Sequence, residues 1–91
     1  MKILINKCFG GFEFSDEFIE EYTKRTGSSF YYNSNYRTAN DIIELFEELG
    51  SKRSSSELSK LELVEIPDDV KWEVHNYDGK EWIAEVHRTW R

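Results

Sequence analysis

The sequence predicts an α+β domain: an antiparallel sheet of about four strands with two helices packed on one face, in the order β-α-α-β-β-β. Two patterns carry this reading. Apolar residues alternate at both ends of the chain, as strands require, and two stretches between them place apolar residues three and four apart behind glycine stops, as helices require. A length of 91 residues fits one domain, residues 1–91, with a modest core.

The elements follow in order. Lys2–Asn6 alternates, with Ile3 and Ile5 on one face and Lys2, Leu4 and Asn6 on the other, and Gly10-Gly11 breaks this first strand. Ser15 is a good N-cap for a helix that Gly27 stops. Phe18, Ile19 and Tyr22 form its buried stripe, Asp16, Glu17 and Glu20 suit its positive end, and Lys24 and Arg25 suit its negative end. Ser28 to Arg37 is aromatic and polar and reads as a loop or a short irregular strand. A second helix begins at Thr38 or Asn40, buries Ile42, Leu45, Phe46 and Leu49, and ends at Gly50. Ser51 to Ser56 reads as a mobile polar linker.

The remainder reads as three strands: Lys60 to Ile66, Val70 to Asn76 and Lys80 to Trp90. A three-residue turn, Tyr77-Asp78-Gly79, is expected for the last hairpin. It would pair Val74 with Trp82, Trp72 with Ala84 and Val70 with Val86 on one buried face, and set His75 opposite Glu81 and Lys71 opposite Glu85 on the other. The alternative two-residue turn puts apolar residues on both faces.

Composition narrows the chemistry. The formal charge is −6, from 18 acidic and 12 basic residues, which argues against direct nucleic-acid binding. Cys8 is the only cysteine, so no internal disulfide can form, and a reducing, cytoplasmic setting is expected. No apolar run is long enough for a membrane span or a signal peptide, so no membrane partner is expected. His75 and His87 are the only histidines. With one thiol, no nucleophile–base set and no metal-ligand cluster, neither catalysis nor a metal or other cofactor is expected.

Three segments are candidate binding sites. The acids Glu13, Asp16, Glu17, Glu20 and Glu21 line the first helix, and Tyr31, Tyr32 and Tyr36 supply contact aromatics in the loop that follows. Together they suit a basic protein surface. Lys7 with Gly10 and Gly11 is a weak anion-cradle pattern, which lacks both nucleotide fingerprints. Arg37, Arg88 and Trp90 could assist it in holding a nucleotide.

Several strings carry a resemblance. Lys2-Ile-Leu-Ile-Asn-Lys-Cys-Phe-Gly-Gly-Phe12 with Ser15, the Arg37 to Gly50 helix ending Glu47-Glu48-Leu49-Gly50, Val64-Glu-Ile-Pro-Asp-Asp-Val70, Trp72, Tyr77-Asp-Gly79, and Ala84-Glu85 with His87-Arg88 and Trp90 together resemble a group of small, mostly uncharacterised bacteriophage and prophage proteins. The resemblance covers nearly the whole chain except 28–36 and 51–57. It implies a viral accessory protein acting in the cytoplasm of a host bacterial cell, with no established cofactor or catalytic residue. By class, such a protein is expected to be a stoichiometric counter-defence inhibitor of a host protein, anti-CRISPR-like. The alternative is a sponge that sequesters a nucleotide immune signal.

Overall fold

The computed structural model describes residues 1–33 and 35–86. The expected order holds: β1 (Lys2–Asn6), α1 (Asp16–Thr26), α2 (Asn40–Ser54), β2 (Leu61–Glu65), β3 (Trp72–Tyr77) and β4 (Lys80–Glu85). The four strands form two separate two-stranded antiparallel sheets, β1–β2 and β3–β4, rather than one sheet of four. His87, Arg88 and Trp90 lie outside the described residues.

The core is aromatic and aliphatic. Leu4 and Leu61 from the first sheet meet Phe14, Phe18, Ile42, Ile43, Leu45 and Phe46, all buried. Phe14 and Phe18 stack with centroids 4.1 Å apart. Ser15 caps α1 as its sequence position suggests: its hydroxyl accepts the Phe18 N–H at 3.0 Å. Gly27 closes the helix in the left-handed conformation at φ 71°. The far face of β1, carrying Ile3 and Ile5, is also buried, so this strand is enclosed on both sides.

Two expectations in the middle of the chain are corrected. Neither Thr38 nor Asn40 caps α2; its N-cap is Ala39, without a side-chain bond. Gly50, at φ 84° and ψ 167°, is non-helical and ends the first helical run as expected, but Ser51–Ser54 form a further helical turn rather than a linker. The presumed linker is tied down by its hydroxyls. Ser54 is buried, Ser51 Oγ donates to Leu61 O, and Ser55 Oγ accepts the Leu61 N–H at 2.8 Å. Serine hydroxyls occupy edge positions of β2 that another strand would take.

The hairpin register is the main correction. Trp72 pairs with Glu85, Val74 with Ile83, His75 with Trp82 and Tyr77 with Lys80. The turn is therefore the two-residue Asp78-Gly79, with both residues at positive φ, 56° and 94°. Such a turn matches the natural twist of a hairpin, and Asp-Gly is a preferred pair for it. One face then carries Trp72, Val74, Glu81 and Ile83 and turns inward, while Trp82, Ala84 and His75 occupy the outer face. The expected burial of Trp72 and Trp82 on one face fails because the inward position belongs to an acid, Glu81, only 8% exposed.

That acid explains the split sheet. Arg37 and Glu81 form a bidentate ion pair, with Nη1 to Oε1 and Nη2 to Oε2 both at 2.8 Å. Glu81 Oε1 also accepts the Asn6 N–H at 2.8 Å. Arg37 closes the rest of that edge: its carbonyl accepts the Leu4 N–H at 3.0 Å and its Nη1 donates to Leu4 O at 3.1 Å. The free edge of β1 is thus satisfied by an ion pair and a loop carbonyl, and β4 docks through a side chain instead of a ladder.

Candidate protein-binding site

The segment Glu13–Ser15 is strapped on two sides before α1 begins. Ser59 Oγ donates to Glu13 O at 2.6 Å, and the Ser15 N–H donates to Ser54 O at 2.8 Å. On the other side the Phe14 N–H donates to the Tyr32 hydroxyl at 3.0 Å. Between these straps opens a cleft of about 610 Å³. Phe14, Ile19 and Leu58 give it apolar lining, Tyr32 stands beside it, and Glu13, Asp16 and Glu57 give it acids. Burial pushes the Tyr32 phenol up from its ordinary value and the charge of Glu13 adds to this, against the opposing pull of the Phe14 N–H. The phenol therefore stays neutral and available as an acceptor.

The expected acidic face divides into two groups. Glu17 pairs with Arg53 across the helices, Nε to Oε2 at 2.8 Å, and Glu21 pairs with Arg25 at 3.3 Å. Arg25 in turn holds Glu48 of α2 with two bonds of 2.6 Å. These acids serve the α1–α2 contact. Among the described residues, Glu13, Asp16 and Glu20 form no ion pair; all three are exposed, and the first two line the cleft. The tyrosines divide similarly. Tyr31 and Tyr32 are both exposed, but Tyr32 also packs edge-to-face with Tyr36 at 5.3 Å, and Tyr36 meets Phe12 at 5.0 Å.

Of the candidate nucleotide residues, Arg37 and the backbone N–H groups of Lys7 and Gly10 are bonded within the fold. The Gly10 N–H donates to Asp78 O at 3.2 Å, and the Lys7 N–H donates to Lys60 O at 2.8 Å. The two glycines lie flat against the hairpin turn: a Cβ on Gly79 would sit 2.7 Å from the Gly10 nitrogen. The lack of a side chain at Gly79 thus serves close backbone approach, and a Cβ on Gly10 would sit 2.6 Å from the Leu58 carbonyl oxygen. Arg37 is committed to Glu81 and lies over the Phe12 ring at 4.7 Å. Burial works against its charge, but the bond and charge of Glu81 outweigh this and raise its pKa. Arg88 and Trp90 lie outside the described residues.

Three features escaped the sequence reading. Asn6, fully buried, is a hub: its Nδ2 donates to Cys8 O at 2.6 Å and Gly79 O at 2.7 Å, and its Oδ1 accepts the Lys60 N–H at 2.8 Å. The cleft wall at Glu57 and Leu58 lies between the stretch read as a linker and the next strand, and drew no reading of its own. Its signal was the run of hydroxyls at Ser51, Ser55, Ser56 and Ser59, a composition that bonds to backbone. Trp82, exposed here with Phe9 and Tyr77, was placed on a buried face because the hairpin register was misread.

Among the described residues no group of three or more His, Cys, Asp or Glu side chains could hold a metal ion, and no helix is long and apolar enough to cross a membrane. The chain matches no protein-family model, no curated protein and no solved structure.

Proposed function

We propose that this protein works by stoichiometric binding, presenting the Glu13–Asp16–Glu57 cleft to a basic protein surface and thereby blocking its partner. The observation that carries this reading is the cleft itself, where three exposed carboxylates border apolar side chains and a neutral phenol. An arginine or lysine side chain suits such a place: its apolar stem lies on Phe14 and Leu58, and its charged head meets the carboxylates. The net charge of −6 assists approach to a basic partner at long range. The phage-type resemblance supplies the setting: a host bacterial protein as partner, and a counter-defence, anti-CRISPR-like inhibitor as the role. The nucleotide-sponge alternative gains no support from the geometry, because the Gly10 N–H and Arg37 are already bonded within the fold.

The test is capture of a partner from a bacterial lysate, its identification, and measurement of its binding to wild type and to the Glu13→Lys/Asp16→Lys/Glu57→Lys variant. All three positions are exposed and outside the helix–helix ion pairs, so the variant is expected to fold. Association should slow at least about tenfold and wild-type binding should weaken with salt, since exposed charges are screened beyond about 8 Å at physiological ionic strength. Binding indifferent to both changes would remove the cleft from the function.

A further inference from the structure

The outer face of the β3–β4 hairpin is aromatic and exposed, and nothing in the cleft reading uses it. His75 and Trp82 face each other across the strands with ring centroids 5.9 Å apart, and Trp82 is 45% exposed. Tyr77 and Lys80 form the next pair toward the turn. Phe9 extends the patch, meeting Tyr77 edge-to-face at 6.5 Å and receiving the Lys80 ammonium at 5.8 Å. A patch of three exposed aromatic side chains is unusual on a small chain and marks a contact surface.

The charges on this face have an order. Glu73 pairs with Ala84 on the side of His75 and Trp82 away from the turn. The ladder runs one pair further, where the Val86 N–H donates to Lys71 O at 2.9 Å. Toward the turn stand Lys80 and then Asp78. From the open end to the turn the signs therefore read Lys71 positive, Glu73 negative, the His75–Trp82 pair, Lys80 positive, Asp78 negative, and all four charged residues are exposed.

This sequence of signs is inverted by reversal. A second hairpin laid face to face and turned end for end about the His75–Trp82 pair brings Lys80 over the Glu73 end and Asp78 over the Lys71 end. The positions of Lys71 and Asp78 differ by about one residue step of 3.4 Å from that axis, within reach of a lysine side chain. Every charge then meets its opposite, twice over by symmetry. The face also differs from the rest of the molecule. Among the described residues two positive and two negative residues flank it, whereas the whole chain carries −6.

We propose that the outer hairpin face is a self-association surface, at which two copies pack end for end with Trp82 at the centre and Glu73 of each copy paired with Lys80 of the other. The surface is independent of the acidic cleft, so neither proposal depends on the other. A face built on three aromatic side chains of one short hairpin is small beside the roughly 1,200 Å² total of stable interfaces, so the proposed dimer is a weak and concentration-dependent one.

Sedimentation equilibrium of the full chain from about 5 µM to about 500 µM, a range suited to weak interfaces, tests it. Wild type should shift from monomer toward dimer across that range. Lys80→Glu and Glu73→Lys alone should each weaken association about tenfold or more, because each converts two attractive pairs into repulsive ones. An equimolar mixture of these two variants should associate again, since each then supplies the charge the other lacks. Trp82→Ala should be monomeric throughout. These positions are exposed, and unchanged circular dichroism and melting confirm that folding is intact. A monomeric wild type at the highest concentration, association that survives Trp82→Ala, or a mixture no more associated than its components would overturn the proposal.

Discussion

The two sheets of this protein are held by different physics. β1, β2 and the two helices enclose Ile3, Leu4, Ile5, Phe14, Phe18, Ile42, Ile43, Leu45, Phe46 and Leu61, which are the buried hydrophobic residues among those described. The β3–β4 hairpin contributes no apolar side chain to that set; its one buried residue is Glu81. It is fastened to β1 by Glu81 with Arg37 and Asn6, by Gly79 O with Asn6, and by Asp78 O with Gly10. Non-directional burial builds one half and directional bonds dock the other. The first tolerates rearrangement of similar volumes, whereas the second depends on single atoms.

The largest expected effects set these halves side by side. Phe18→Ala should cost about 3–5 kcal/mol by removing a fully buried ring from the core. Glu81→Ala should cost about as much, 3–5 kcal/mol, although it removes little apolar surface, because it leaves a largely buried guanidinium and the Asn6 N–H without their acceptor. The distinction lies in where the loss is felt. Hydrogen exchange should show Glu81→Ala exposing β3 and β4 amides far more than those of α2, and Phe18→Ala exposing both. Equal loss of protection in both halves of Glu81→Ala would mean that the hairpin and the core unfold as one unit.

The same division decides what the sequence reveals. β1, α1 and the apolar stripe of α2 were legible because hydrophobic periodicity is the force that forms them, and the Ser15 and Gly27 caps are local chemistry. The cleft was legible in part: Glu13, Asp16 and Tyr32 were marked by charge and residue type, but Glu57 and Leu58 come to it through hydroxyl-to-backbone bonds that leave no periodic trace. The hairpin register was misread for a physical reason. A pattern argument turns tryptophans inward and acids outward, and here Glu81 is inward because Arg37, more than forty positions earlier in the chain, supplies its counter-charge. Long-range ion pairs override local pattern, and one sequence does not announce them.

A smaller effect tests the docking seam where backbone meets backbone. Gly79→Val should destabilise by about 1–3 kcal/mol through its φ of 94° alone, since a β-branched residue resists that conformation. The seam adds to this, because a Cβ there would lie inside contact distance of the Gly11 nitrogen. Asp78→Asn, at the other positive-φ turn position, keeps a residue suited to that conformation and should be nearly neutral. For a domain this small each kcal/mol moves Tm by about 4–8 °C, so melting curves resolve the two. An unchanged Tm in Gly79→Val would show that neither the left-handed conformation nor the close approach to Gly10-Gly11 constrains this turn.

The smallest expected effect concerns the helical half, which has polar ties of its own, though exposed ones. The bond from Arg53 holds the Glu17 carboxyl below its ordinary value of 4.5, with the guanidinium charge adding to it, and Arg25 does the same for Glu48. A depressed carboxyl pKa in the folded state stabilises fully above the unfolded value and loses its contribution as pH falls through the folded one. The α1–α2 contact should therefore weaken only on acidification below about pH 4.5, the ordinary glutamate value. Glu17→Gln should melt slightly below wild type at neutral pH, and the gap should close as pH falls through the lowered folded-state pKa and the wild-type carboxyl is protonated as well. Both partners are exposed, so screening keeps the gap small, and raising the salt concentration should shrink it further. Glu81→Ala should show no such salt sensitivity, because Arg37 and Glu81 are largely shielded from solvent. A Glu17→Gln gap that persisted at acid pH and high salt would mean that the Arg53 contact acts through packing, and the helical half would then owe nothing to charge.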